Sequence, residues 1–218
     1  NVKELLGTSS PYNQNYVTLV DYDKKAEEKL VTTLLYRYST LSYQEIKEKT
    51  INFSDYEKEQ LINNALKHRG PFDQPIRELE HIYYTFDILI DYGAFRDIQR
   101  HRMCTQTNQL LTCDHGYETP DIIKKVGLEN DYNICLEKAK SAYQKISQKY
   151  PYEAQYILPL AFRKRVLITL NLRELHHFIS LRSGINGHWF YRMIAQECFK
   201  EIEKIHPLLA KYIRVNMD

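Results

Sequence analysis

The order of elements in this sequence predicts an α+β fold, on three observations. Short runs dominated by β-branched and aromatic residues recur at Tyr16–Val20, Tyr83–Ile90 and Val166–Leu170. Between them, apolar residues return every three or four positions, the spacing of an amphipathic helix. No internal repeat or low-complexity linker divides the 218 residues, which suffice for a single domain, 1–218, with a full core.

Taken in order, residues 1–15 are polar, with Gly7, Ser9, Ser10 and Pro11, and read as a loose N-terminal arm. Tyr16–Val20 alternates as a strand. After Asp23, the stripe Ala26, Leu30, Leu34 and Tyr38, widened by Val31 and Leu35, predicts a helix. Ser42 with Glu45, and Ser54 with Glu57, each have the spacing of a capping box. The helix after Ser54 should bury Leu61, Ile62, Ala65 and Leu66 and stop before Gly70. Tyr83–Ile90 is the second strand, and Tyr92-Gly93 turns into a helix carrying arginines. Thr112–Pro120 reads as a loop. Residues 130–150 form a long helix, with Ile134, Ala139, Ala142, Tyr143 and Ile146 inward. Pro151 interrupts it. Val166–Leu170 is the third strand, followed by helices over Asn171–Leu181 and Gly187–Ile213, the last bent at Pro207.

Composition narrows the function classes. A formal net charge of +2 is a poor electrostatic footprint for a nucleic-acid binder. No apolar run approaches a membrane span and no signal-peptide pattern opens the chain, so a cytoplasmic protein is expected. Asn1 at the start fits a processed or excised part of a longer chain. The four cysteines, Cys104, Cys113, Cys135 and Cys198, form no CxxC pair, which favours reduced thiols and no metal site.

The positive charge is concentrated locally. Arg96, Arg100, His101 and Arg102 fall within seven residues. On a continuous helix Arg96 and Arg100 share a face, and Asp97 stands one turn before His101, placed to orient its ring. Arginine forks suit phosphate and carboxylate oxygens and stack on flat rings. A solvated basic face is the alternative. A second cluster follows, with Arg163, Lys164 and Arg165 ahead of the third strand and Arg173, His177 and Arg182 behind it. His177, one turn after Arg173, is either a packed histidine or a ligand contact. Together the clusters could hold a dinucleotide pyrophosphate and a smaller nucleotide.

Three ordered elements carry a family resemblance. Arg100-His101-Arg102 resembles the Arg-His-Arg signature of the flavin-dependent thymidylate synthases, with Arg96 in the preceding Arg-Gln position and Asp97 replacing the glutamine. Upstream, Glu80-His81-Ile82-Tyr83-Tyr84-Thr85-Phe86 resembles the family's Glu-His-x-x-Phe-Thr-Phe. Downstream, Asn171-Leu172-Arg173 with His177-Phe178 and Leu181-Arg182 resembles its Asn-x-Arg-x-x-x-Asn/His-Phe-x-x-Leu-Arg. The likeness runs from about Asp23 to the C-terminus.

The resemblance implies a central mixed or antiparallel sheet flanked by helices, assembled as a homotetramer with sites at subunit junctions. It implies reductive methylation of dUMP, with methylene-tetrahydrofolate giving the carbon, FAD the hydride and NADPH the reducing power. Carried over position by position, flavin contacts fall on Glu80, Arg100, His101, Arg102, Asn171, Arg173 and His177. Arg182 falls where the family's arginine faces the pyrimidine. That position favours the anionic base and activates C5 without a cysteine nucleophile.

Departures concentrate on the substrate phosphate. The family's Ser-x-Arg becomes Leu110 and Thr112, and the arginine of its Ala-Arg-x-x-Leu-Pro element becomes Gln155. A histidine the family places near the flavin becomes Pro75, with His68 close by in sequence. Losing two charge-assisted contacts costs several kcal/mol of phosphate binding, at about 1.5–3 each. Arg96, Asn108, Gln109 and Gln155 are the candidate substrate contacts in their place, with Arg163, Lys164, Arg165 or the Gly116-Tyr117 loop as further replacements. The alternative is a non-catalytic homologue, a structural partner or one half of a tandem protein.

Overall fold

The computed structural model describes residues 2–7 and 13–218. In chain order these are α1 (Val2–Leu6), β1 (Val17–Tyr22), α2 (Ala26–Tyr36), α3 (Tyr43–Thr50), α4 (Asp55–Leu66), β2 (Tyr83–Asp91), α5 (Tyr92–Ile98) and β3 (Cys104–Asn108). There follow α6 (Asp121–Lys125), α7 (Glu129–Ser147), β4 (Arg163–Asn171), α8 (Leu172–Arg182), α9 (Trp189–Ile205) and α10 (Pro207–Ala210), with 3-10 turns at Arg77–His81 and Glu153–Ile157. The four strands make one antiparallel sheet in the order β1-β2-β4-β3. The fold is α+β. The register of β2 on β4 sets the Thr85 and Thr169 hydroxyls 2.8 Å apart.

Local chemistry explains most boundaries. Ser42 and Ser54 close the expected capping boxes with Glu45 and Glu57. Strands β2 and β4 end alike: Asp91 accepts from the Ala94 N–H at 2.7 Å, and Asn171 accepts from the Glu174 N–H at 2.8 Å. Each Asx side chain converts a strand end into a helix start. The expected bend at Pro207 is a break: α9 stops at Ile205 and Pro207 opens α10, where its missing N–H costs nothing.

Several expectations are corrected. The arm over 1–15 contains the short helix α1, while residues 1 and 8–12 lie outside the described residues. Tyr38 lies beyond α2 and is exposed; Thr32 and Thr33 are buried instead, their hydroxyls satisfied by the carbonyls of Glu28 and Lys29. In α7, Leu136 is the buried residue, with Tyr132, Ala139 and Tyr143 on its stripe, while Ile134 and Ile146 are exposed. β3 was hidden in sequence because Cys104-Thr105-Gln106-Thr107-Asn108 carries no apolar alternation.

The chain clusters into two compact units. One comprises the described residues up to Tyr16 with Ile88–Arg100 and Thr107–Val166. Its apolar cluster is Leu111, Cys113, Leu136, Leu158 and Phe162. The other comprises Val17–Asp87, His101–Gln106 and Leu167–Asp218. In it, α2 packs on α3 and α4, and α8 on α9.

Within the second unit, Arg69 ties together distant parts of the chain. It donates to His176 Nδ1 at 3.0 Å and to the Tyr212 carbonyl at 3.1 Å. Arg214 donates to the carbonyls of Gly70 and Pro71. Burial, then the charges of Arg69 and Arg214, pushes His176 down to about 3. The unfolded chain therefore takes up a proton that folded His176 refuses between its ordinary value and about 3. Its contribution to stability is complete above pH ~6.5 and falls below it, with a slope of at most about 1.4 kcal/mol per pH unit. Urea melts of His176→Asn between pH 4 and 8 are expected to show a flatter acid limb than the unsubstituted protein.

Candidate functional site

The family-like elements of the second unit meet at the start of α8. Asn171, its cap, is buried, and its side chain fixes the direction in which the helix leaves β4. Arg173 and His177 follow one turn apart. Arg173 donates Nη1–H to Glu80 at 2.9 Å and Nε–H to the Pro75 carbonyl at 2.8 Å. Arg77 forks onto the same carboxylate at 3.1 and 3.0 Å. Arg77, and then Arg173, hold the Glu80 carboxyl below the usual carboxylate range. Gln74, Glu80, Met103, Asn171, Arg173, Glu174 and His177 line a cavity of about 250 Å³.

His101 sits in the same unit but not as expected. Helix α5 ends at Ile98, so Arg100-His101-Arg102 lies beyond it. Asp97 faces Arg100 at 3.9 Å, and the His101 ring is bound elsewhere. Its Nδ1 bonds Glu174 Oε1 at 2.8 Å, and its Nε2 accepts from Arg182 Nε–H at 3.0 Å. Its ring lies edge-on to Phe178 and 5.5 Å from the His177 ring. His101 is buried, whereas Arg102 and Met103 are exposed. Arg182 stacks its guanidinium over Tyr191 at 5.2 Å.

The remaining candidates belong to the first unit. Arg96 and Arg100 are exposed, and Arg96 lies 5.9 Å over the Tyr92 ring. Asn108 and Gln109 are exposed at the end of β3. Gln155 is engaged internally: its Oε1 accepts the Leu111 N–H at 2.8 Å, and its Nε2 donates to the Tyr152 carbonyl at 3.0 Å.

The basic run before the third strand is instead part of it. Arg163 pairs with Glu118 at 3.4 Å, which also accepts from the Tyr16 hydroxyl at 2.9 Å. Lys164 is buried, with its ammonium 4.7 Å from the Phe95 ring and 5.6 Å from the Tyr92 ring, and burial pushes its pKa down. Arg165 is buried and donates to the Asn13 carbonyl. All three are engaged inside their own unit.

The "Thymidylate synthase complementing protein" family profile matches residues 18–208. The chain belongs to this family. A flavin-dependent thymidylate synthase of Sulfurisphaera tokodaii is 30% identical over 208 residues, covering 92% of this chain and 78% of that protein. A UPF0159 protein of Chlamydia muridarum is 33% identical over 210 residues, covering 94% of the chain but 39% of the relative. A UPF0159 protein of Thermoplasma acidophilum is 32% identical over 233 residues, covering 98% and 44%. The chain spans about two fifths of the length of these UPF0159 relatives.

Two site residues were missed by sequence reading. Glu174 and Tyr191 are ordinary helical residues in the sequence, and only the packing of α8 on α9 and the placing of His101 gives them partners. The Asx cap was the one available signal, since it fixes the phase of α8. Asn171→Ala is expected to lower stability by about 1 kcal/mol in urea melts, and Asn171→Asp to retain most of it, because the carboxylate still accepts the Glu174 N–H.

Proposed function

We propose that the protein is a flavin-dependent thymidylate synthase-type enzyme. It would convert dUMP to dTMP with methylene-tetrahydrofolate as carbon donor and NADPH as reductant. The observation that carries this reading is the convergence in one unit of Glu80, Asn171, Arg173 and His177 around one cavity, with Arg182 held on the same helix.

The residues fit a flavin in kind. Donors and acceptors from Asn171, Arg173, His177 and Glu80 line the cavity, and the exposed guanidinium of Arg102 suits its phosphates. The cavity is smaller than the roughly 300–1,000 Å³ of most small-molecule sites. That favours a homo-oligomer, a tetramer on the family pattern, in which neighbouring chains complete the pocket. When bound, reduced FAD would supply the hydride. His101, buried between Glu174 and Arg182, would hold the arginine beside the flavin. Arg182 would face the pyrimidine and favour its anionic form. Burial raises the Cys104 thiol, the cysteine bonded to the His101 carbonyl, which suits chemistry without a thiolate nucleophile.

A second reading has its own support. The chain spans two fifths of its UPF0159 relatives, and Gln155, at a family phosphate position, is committed to Leu111 and Tyr152. On that reading the chain is one half of a tandem protein and lacks activity alone.

Visible absorbance before and after adding FAD tests the first reading, followed by assay of dTMP formation from dUMP, methylene-tetrahydrofolate and reductant. Flavin binding with turnover is expected; binding without turnover favours the tandem reading, and no binding at any concentration removes the flavin site. Arg100→Ala is expected to weaken FAD binding about 10- to 150-fold, the loss of one charge-assisted contact. An unchanged Kd would remove Arg100 from the site.

A further inference from the structure

We propose that Glu174 is a positioning residue: through His101 it fixes the imidazole tautomer that holds the Arg182 guanidinium. The role given to Arg182 rests on the reading above, whereas the tautomer rests on the geometry of one unit.

The argument starts from what each group can donate. An arginine Nε–H is a donor and never an acceptor. Arg182 Nε lies 3.0 Å from His101 Nε2, so that ring nitrogen must present its lone pair. The ring hydrogen then resides on Nδ1, which faces Glu174 Oε1 at 2.8 Å. An ionised carboxylate only accepts, so Glu174 favours this tautomer. With the hydrogen on Nε2, two N–H groups would face each other and Arg182 would have to leave.

The surroundings leave the ring little freedom. His101 is buried, and its ring packs T-shaped against Phe178 with centroids 5.1 Å apart. The Cys104 thiol and the Gln106 amide both donate to its carbonyl, at 2.9 and 3.0 Å. Glu174 and Arg182 stand two turns apart on α8 and bracket the imidazole. The Arg182 guanidinium carbon also lies 5.2 Å from the centre of the Tyr191 ring on α9. A long side chain is thereby contacted from two sides, which limits rotation. Asp97, which sequence spacing offered as the orienting acid, pairs with Arg100 instead.

Glu174→Ala provides the test. It keeps the backbone N–H that Asn171 caps and removes the acceptor from Nδ1, whereas the amide oxygen of Glu174→Gln still accepts from that nitrogen. The full chain is labelled with 15N-histidine and 15N-arginine, and His101→Asn and Arg182→Lys assign the two resonances. The unsubstituted protein is expected to show His101 as the Nδ1–H tautomer and a slowly exchanging Arg182 Nε–H. Glu174→Ala is expected to lose both, and Glu174→Gln to retain both. On the enzyme reading, kcat/KM for dUMP falls in Glu174→Ala by as much as about 100-fold, the cost of misplacing a reacting contact. A melt on each variant separates this from unfolding.

An Nε2–H tautomer in the unsubstituted protein overturns the proposal, as does a folded Glu174→Ala variant that retains both signals. Loss of both signals in a protein that never forms dTMP sinks the enzyme reading and leaves the positioning role standing. Unchanged kcat/KM in an active Glu174→Ala variant sinks the catalytic consequence.

Discussion

The geometry of the candidate site depends on how β4 becomes α8. Asn171 ends the strand and folds its side chain over the first turn, accepting the Glu174 N–H. That contact sets the rotational phase of the helix. Once the phase is set, Arg173 and His177 fall on the cavity side, and Glu174 and Arg182 fall two turns apart along the histidine. A cap contributes about 1 kcal/mol, yet this one decides where four functional side chains lie. Asp91 performs the same conversion at the end of β2, which accounts for the short helix α5.

Charge in this protein is neutralised in separate groups. Arg77 and Arg173 share Glu80, Arg163 shares Glu118 with Tyr16, and Lys164 lies against two aromatic rings. Lys164 is the buried cation of these, and it needs such a setting because desolvation otherwise costs more than packing returns. The partners differ in kind, and so do the consequences. The carboxylate shared by two guanidiniums is held below the usual carboxylate range, whereas the lysine against the rings has its pKa lowered by burial. The run Arg163-Lys164-Arg165 reads as a single basic patch in sequence, yet strand alternation sends its members to different surroundings.

The chain combines a family core with rewritten contacts. The elements around Glu80 and Asn171 are present and converge in one unit, while the positions of the family's phosphate contacts hold Leu110, Thr112 and Gln155. Gln155 is turned inward, pinning the Leu111 N–H beside the apolar cluster. The chain covers about two fifths of the length of its UPF0159 relatives.

The sequence by itself determined what depends on neighbours a few positions apart. The capping boxes at Ser42 and Ser54, the three apolar strands, the helix start at Asn171 and the family signature were all legible, because each is a local pattern of donors, acceptors or apolar spacing. The polar strand β3, the buried face of α7 and the burial of Lys164 and Arg165 were not, because those depend on which surface meets which. The same holds for His101. Local spacing offered it Asp97, and the end of α5 removed that option; tertiary structure supplied Glu174 from a helix 73 residues away. Hydrogen bonds between distant residues follow the packing of the elements that carry them, and that packing is decided by the whole core.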